Sequence, residues 1–385
     1  MCIASQIALR EVSMAYTVPL HSREKVNAAG DTLIDPSFSS FESSELNDAL
    51  AVINNWRSCH RYPLNAIQVT IRGRARKVDE SAIIPQRLKR MPAIAAKLKL
   101  HSGMKLARMH DIGGCRAILK DAASVRLVLE KCHEAIAKNP KRGAELIKEY
   151  NYMDGNLPGP KSDGYRGVHL VYQYRSKKGQ GAKYNGLRIE VQLRTRLQHA
   201  FATAVETASI FTDQPIKSIK ANLQDERWRQ FFALMGNALA IRERTTLIGG
   251  LPTTADDLAR EIRILSDDLS VEHVLGGWGR TIEQLSGHPV GARTFLLRLD
   301  TQAKTTDVIA YSNRDIPKTD QQYLDLEKEF KDKPSQQVVL VDAESIDSLR
   351  LAYPNFYLDT RAFIQAMKKA ISPPRRTLRR PLRIG

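Results

Sequence analysis

Residues 187–194 alternate without a break. Ile189, Val191 and Leu193 fall on one side of an extended strand, with Arg188, Glu190, Gln192 and Arg194 on the other. The same two-residue period predicts strands over 66–74 (AIQVTIRGR), over 168–174, and over 111–119, entered through Gly113 and Gly114. The strands at 168–174 and 187–194 read as a pair, separated by the turn-rich SKKGQGAKYNG. Helical spacing governs other stretches. Leu46, Leu50, Ile53 and Trp56 predict a helix behind the caps Ser43 and Ser44, with Pro63 as its stop. Leu88, Met91, Ile94, Ala95 and Leu98 form the buried stripe of a basic helix over 86–98. Amphipathic helices follow over 122–138, over 197–210 with Phe201, Ala204, Val205 and Ala208 inward, and over 227–244.

These elements sort into parts. Residues 1–40 are polar and irregular and read as an arm, 41–245 hold the first unit, and 246–285 read as a helical connector. Residues 286–371 predict a small α+β module: strands TFLLRLD and DVIAYS, a helix over TDQQYLDLEKEFKD, the strand QQVVLVDA, and a closing helix near 360–371. Residues 372–385, SPPRRTLRRPLRIG, carry five arginines and no acid and read as a disordered basic arm. The expected fold class is α+β, a mixed sheet flanked by helices with a second small α+β domain. At 385 residues the chain has room for two domains.

Composition adds little to this until charge is counted. The chain is 42% hydrophobic and 26% charged, ordinary for a globular protein. No apolar run reaches the length of a membrane span, and the start MCIASQIALREV lacks a signal-peptide core, so no membrane partner is expected. Cys2, Cys59, Cys115 and Cys132 are scattered without a CxxC pair, which fits a reducing cytoplasm. The net charge of +17, with a pI near 9.7, favours polyanionic partners: nucleotides, RNA or ribosomes.

Candidate chemistry lies in four separated segments. GNLPGPKS (155–162) looks like a phosphate-binding loop, but Pro160 stands between Gly159 and Lys161 and removes an amide donor, so it is rejected. RLKRMPAIAAKL brings Arg87, Lys89 and Lys97, which alone read as a solvated basic face. MHDIGGCRAIL brings Asp111 and Arg116, which alone read as a strand cap. KSDGYRGVHL brings Lys161, Tyr165 and His169, which alone read as a turn with a core tyrosine. RIEVQLRT brings Glu190, Gln192 and Arg194, which alone read as a salt-bridged sheet surface. Together they supply two carboxylates, many cations and an aromatic ring. Phosphoryl transfer from a nucleotide needs that set: Mg²⁺ takes one or two carboxylates plus phosphate oxygens, and cations neutralise the polyphosphate.

In this order, the segments resemble the synthetase domain of RelA/SpoT-type alarmone synthetases over roughly residues 45–245. The family pattern R-x-K-x-x-x-S-I-x-x-K falls on Arg87, Lys89, Ala93, Ile94 and Lys97, and D-[IL]-x-[GA]-x-R falls on Asp111 to Arg116. The pattern P-K-x-x-G-Y-x-S-x-H falls on Pro160, Lys161, Gly164, Tyr165, Gly167 and His169. E-[VI]-Q-[IL]-R-T falls on Glu190 to Thr195, with His199 in the helix beyond. The resemblance implies pyrophosphate transfer from ATP to the ribose 3′-hydroxyl of GDP or GTP. It implies ATP phosphates held by Arg87, Lys89, Lys97 and Arg116, and Mg²⁺ on Asp111 and Glu190, with Glu190 beside the attacking hydroxyl. Tyr165 would stack on the acceptor base, while Lys161, His169, Gln192 and Arg194 hold the acceptor or order the site.

The chain departs from the pattern where its serines are Ala93 and Gly167, and the loop before Pro160 is longer than the compact family form. The one His-Asp pair, His110-Asp111, is already used by the synthetase strand, so synthesis without hydrolysis is expected. Three alternatives stay open. The chain resembles toxic members that pyrophosphorylate adenosine nucleotides or tRNA 3′ ends and arrest growth, here with the C-terminal module as restraint. The basic surface and tail equally fit a contact with tRNA or the ribosome. A nucleotide- or RNA-binding protein without catalysis is the third, and a homo-oligomer is compatible with all of them.

Overall fold

In the computed structural model, the alternating stretch around Glu190 sits near the middle of a long mixed sheet. The structure describes residues 16–38, 44–138, 143–155, 158–177, 179–211, 223–276, 282–287, 292–303, 305–311, 316–330, 333, 335–357 and 359–372. The chain runs through α1 (Arg23–Ile34), α2 (Ser44–Cys59), α3 (Arg61–Val78), β1 (Gln86–Leu88) and α4 (Met91–Leu100). It continues through β2 (Gly113–Leu119), α5 (Ala122–Lys138), β3 (Ala144–Asn151), β4 (Val168–Tyr174), β5 (Arg188–Thr195), α6 (Arg196–Phe211) and α7 (Leu223–Glu243). Then come α8 (Ala255–Asp268), α9 (Val271–Gly276), β6 (Ile282–Gly287), β7 (Thr294–Asp300), β8 (Thr305–Tyr311), α10 (Ile316–Glu329), β9 (Gln336–Asp342), α11 (Ile346–Ala352) and α12 (Arg361–Ile371).

Nine strands form one sheet in the order β3-β4-β5-β2-β1-β9-β7-β8-β6. The β2–β5 and β6–β8 pairs are parallel and the others antiparallel. The fold is α+β, as the pattern predicts, and the strands of the C-terminal segment extend the sheet of the first rather than standing apart. The joint is β1, whose Gln86 and Arg87 pair with β2 on one side and with Asp342 and Val341 of β9 on the other.

Alternation decides which face each residue covers. Ile189, Val191 and Leu193 are fully buried under α3 and α5 with Leu64, Ile71, Val125 and Val128. On the C-terminal strands, Phe295, Leu297, Val339 and Val341 pack against Leu349, Ala352 and Phe356. The register Arg87↔Val341 puts that packing on the face opposite α3, the face Glu190 shares. Leu296, Val338 and Leu340 turn the other way, against Tyr323 of α10.

The structure corrects four sequence expectations. Residues 66–74 are helical, inside α3, because Leu64, Ile67, Ile71 and Ala75 bury at helical spacing while Val69, which made the alternation, stays 46% exposed. Pro63 does not stop a helix; it lies in the first turn of α3, where its missing N–H costs nothing. The stretch 86–98 is not one helix. Arg87 is on a strand, Lys89 follows it, and only Lys97 is on α4, which Pro92 helps to start. Within the expected irregular arm, Ser22 accepts from Lys25 N and caps α1. β3 and β6, which carry no clear alternation, were not foreseen. The basic tail beyond Ser372 and residues 1–15 lie outside the described residues.

The two halves also lock through buried charge. Arg57 of α2, 1% exposed, donates Nη1 to Glu327 Oε2 of α10 at 2.7 Å, and Glu327 Oε1 accepts the Met91 amide at the start of α4, also at 2.7 Å. Arg61 pairs with Asp320 at 3.0 Å. Removing one member strands a buried ion, whereas replacing both by apolar groups does not. Glu327→Ala is expected to destabilise the chain by about 3–5 kcal/mol in guanidinium unfolding. The double variant Arg57→Met/Glu327→Leu is expected to recover most of that loss.

Candidate active site

Strand register assembles the site. Across the open face, one row of paired residues runs Arg87, Gly114, Glu190, Val171, Lys148, and the next runs Arg116, Gln192, His169, Tyr150. Two residues per row period and four adjacent strands thus turn four distant sequence segments into one patch. Arg87, Lys89, Asp111, Arg116, Glu190 and Gln192 line a single cavity together with Tyr353. Lys97 reaches the same place from α4. Every residue singled out in the sequence lies on this patch or at its edge.

The charges are arranged in two groups. Asp111 is held by two lysines, Lys89 Nζ on Oδ2 at 2.8 Å and Lys97 Nζ on Oδ1 at 2.9 Å. Burial works against its charge, but the two ammonium groups outweigh it and hold its carboxyl below the ordinary value. Glu190 accepts from His169 Nδ1 at 3.2 Å and from Gln192 Nε2 at 2.6 Å. Burial again opposes ionisation, and His169 and Gln192 outweigh it, so Glu190 stays ionised well below the usual carboxylate range. Beside them Arg87, Arg116 and Arg194 form no ion pair among the described residues. Arg116 donates to Gln192 Oε1 and to the Ala352 carbonyl, and burial with the neighbouring Arg194 and Arg87 brings its pKa down to about 10. Positive charge without carboxylate partners in a half-buried cleft suits a polyphosphate.

Ahead of β4 a glycine turn places the aromatic group. Gly164 has φ +88°, and a Cβ there would lie 2.4 Å from the Phe232 carbonyl, so glycine alone fits. Tyr165 OH meets His169 Nε2 and Arg194 Nη2, each at 2.6 Å. Arg194 donates to the hydroxyl, the hydroxyl donates to His169 Nε2, and His169 Nδ1–H donates to Glu190; that chain assigns the tautomer. Gly167, in place of the family serine, has φ +148°, with Arg194 Cγ 3.2 Å and the Tyr165 hydroxyl 3.4 Å from where a Cβ would be. A serine would be strained there.

Three site features were not read from the sequence. Lys161 lies over the rings of both Tyr165, at 5.1 Å, and Tyr152, at 4.6 Å. Tyr152 in turn stacks parallel on Tyr150, whose ring carries Lys148 at 5.0 Å. The spacing Tyr150-x-Tyr152 before the loop was the available signal. From the C-terminal half, Tyr353 lines the cleft, the Ala352 carbonyl takes Arg116, and the Leu351 carbonyl takes His199 Nε2–H at 3.1 Å. The enclosed space is only about 60 Å³, far below the few hundred Å³ of a nucleotide site. Among the described residues, no cluster of three or more His, Cys, Asp or Glu side chains gathers as a ready-made metal cage.

Residues 86–214 match the family model described as "Region found in RelA / SpoT proteins". The chain carries a RelA/SpoT-type domain. The matched region contains all eleven predicted site residues, from Arg87 to Arg194, and excludes Tyr353 and the rest of the C-terminal half. No curated protein matches the chain. Among solved structures, it is similar to small alarmone synthetase 1 of Bacillus subtilis bound to its product pppGpp, with 20% identity over 48% of this chain and 90% of that one, at a TM-score of 0.38. It is similar to a GTP pyrophosphokinase family protein of Streptococcus pneumoniae, with 20% identity over 52% and 91% and a TM-score of 0.36. It is also similar to small alarmone synthetase 2 of B. subtilis, with 17% identity over 52% and 96% and a TM-score of 0.36. No described helix is long and apolar enough to cross a membrane.

The depressed carboxyls of this RelA/SpoT-type domain set a pH dependence. Groups whose folded pKa lies below the unfolded value contribute stability above that value and lose it as pH falls. Stability is therefore expected to drop as pH falls below about 4. Glu190→Gln is expected to flatten that slope in denaturant titrations at successive pH values, and an unchanged slope would refute the assignment.

Proposed function

We propose that the protein is an ATP-dependent pyrophosphokinase that makes (p)ppGpp from GDP or GTP, without hydrolase activity. The observation that carries this is the single cleft shared by Arg87, Lys89, Asp111, Arg116, Glu190 and Gln192, with Lys97 on Asp111. Arg87 and Arg116 would take the donor phosphates, and Lys89 and Lys97 would move from Asp111 onto them. The freed Asp111 and Glu190 fit Mg²⁺, which would supply neutralising charge on the polyphosphate; two carboxylates plus phosphate oxygens are what that ion accepts. Glu190 would polarise the 3′-hydroxyl and take its proton. The hydroxyl oxygen then bonds to the β-phosphorus, the bond from that phosphorus to the bridging oxygen breaks, and AMP leaves. Tyr165 and Lys161 would seat the acceptor.

A second reading has its own support. Lys148, Lys161 and Arg194 lie over the rings of Tyr150, Tyr152 and Tyr165, and Tyr150 and Tyr152 stack on each other, along the proposed acceptor side. Stacked rings among cations suit the bases and phosphates of a single strand, so the 3′ end of tRNA is the competing acceptor, in the manner of the toxic family members. In that reading the C-terminal half restrains the domain, with Tyr353 and the Leu351 and Ala352 carbonyls covering the donor cleft.

The deciding assay offers β,γ-labelled ATP and Mg²⁺ to GDP, GTP, ATP and tRNA in separate reactions. Label on GDP or GTP supports the first reading, label on tRNA alone supports the second, and label on none favours a binding protein. With the productive acceptor, Glu190→Gln is expected to lower turnover at least about 100-fold while the chain stays folded by circular dichroism. Tyr353→Ala is expected to raise turnover severalfold if the C-terminal half restrains the cleft; unchanged turnover would sink that part. The point variant is preferable to removing residues 286–385, which would bare the β1 edge and leave Arg57 unpaired.

A further inference from the structure

The turn that carries Tyr165 is tied to α7, a helix that lies outside the matched region 86–214. The tie is made by Arg166, only 3% exposed. It donates Nη1 to the Gly164 carbonyl at 3.1 Å, and Nη2 to Asn237 Oδ1 at 3.3 Å and to the Thr246 carbonyl at 2.9 Å. Asn237 of α7 is fully buried. Its Oδ1 also accepts from the Ile248 amide at 2.7 Å, and its Nδ2 donates to the Ile248 and Pro252 carbonyls at 3.2 and 3.3 Å. The backbones meet as closely. A Cβ on Gly236 of α7 would lie 2.6 Å from Gly164 Cα and 3.0 Å from Arg166 Nη1.

Arg166 forms no ion pair among the described residues, and burial lowers its pKa to about 10 against the opposing pull of Glu243. A buried cation held by neutral oxygens is costly, and an apolar side chain would fill the same space without that cost. What the cation gains is geometry, because its planar fork reaches the turn, the helix and the chain beyond the helix at once. The other bonds of the turn are local or lie in the cleft: Gly164 N on the Lys161 carbonyl, Tyr165 N on Asp163, and the Tyr165 hydroxyl with His169 and Arg194. We propose that Arg166 and Asn237 are positioning residues that fix the Tyr165 ring before the acceptor arrives. The link to the acceptor rests on the reading of Tyr165 given above. A ring fixed in advance removes an ordering cost from acceptor binding, so the effect belongs in the acceptor KM.

Two readouts on the full chain test it. In ¹⁹F NMR of the chain labelled with 3-fluorotyrosine, Tyr165→Phe and Tyr323→Phe assign two signals. Arg166→Met and Asn237→Leu are each expected to shift or broaden the Tyr165 signal and to leave that of buried Tyr323 in place. In transfer assays the same variants are expected to raise the KM of the productive acceptor about tenfold, with the KM of ATP within about twofold of the parent. If Arg166→Met does not fold, Arg166→Lys, which keeps the charge and loses the fork, is read in the same way. An unmoved Tyr165 signal overturns the proposal, and so does an equal rise in both KM values. Unchanged acceptor KM in Tyr165→Ala sinks the acceptor reading instead, and the hold on Tyr165 is then decided by its signal alone.

Discussion

Everything in this molecule depends on a strand of three residues hydrogen-bonded along both edges. β1 pairs with β2 of the RelA/SpoT-type domain and with β9 of the C-terminal half, so neither half presents a free sheet edge where they meet. The strand's own period then sends Arg87 to one face and Gln86 to the other. The first completes the cationic cleft, and the second lines a cavity between the halves. The buried Arg57–Glu327 pair reinforces the joint and reaches the first amide of α4, the helix that carries Lys97. The C-terminal half is therefore built into the support of the site as well as lying over it.

The second constraint is electrostatic. Two carboxylates must stay charged in a half-buried cleft, where desolvation opposes them. Each is kept ionised by named partners: two lysines for Asp111, an imidazole and an amide for Glu190. The arginines beside them have no such compensation, and the low-dielectric setting makes their field strong. Such a surface, with cations held in place beside ionised carboxylates, has the charge that a phosphate group would meet favourably. The backbone carbonyls of the C-terminal half settle there as acceptors: Ala352 takes Arg116 and Leu351 takes His199, both of which feel the charge of Arg194.

Much of this was legible in the linear pattern. The strand around Glu190, its pairing with the strand of His169, the helix over 122–138 and the inward residues of α6 follow from period and turn chemistry alone, because those elements bury one face and solvate the other. The four charged segments could be grouped because two carboxylates, many cations and an aromatic ring together are the set that phosphoryl transfer from a nucleotide needs, and because their order resembles one family. The sequence misled where hydrophobicity alternated by chance, as around Val69, and gave no signal where an element is held by its neighbours, as in β3. By itself, then, the sequence determined the fold class and the grouping of the four charged segments, since the first rests on periodicity and the second on residue types in a recognisable order. Only the tertiary structure decided that the C-terminal strands continue the first sheet, that Tyr353 enters the cleft of Arg87 and that a polar cavity opens behind β1. Those outcomes depend on the pairing of β1 with β9 across some 250 residues, which no local pattern encodes.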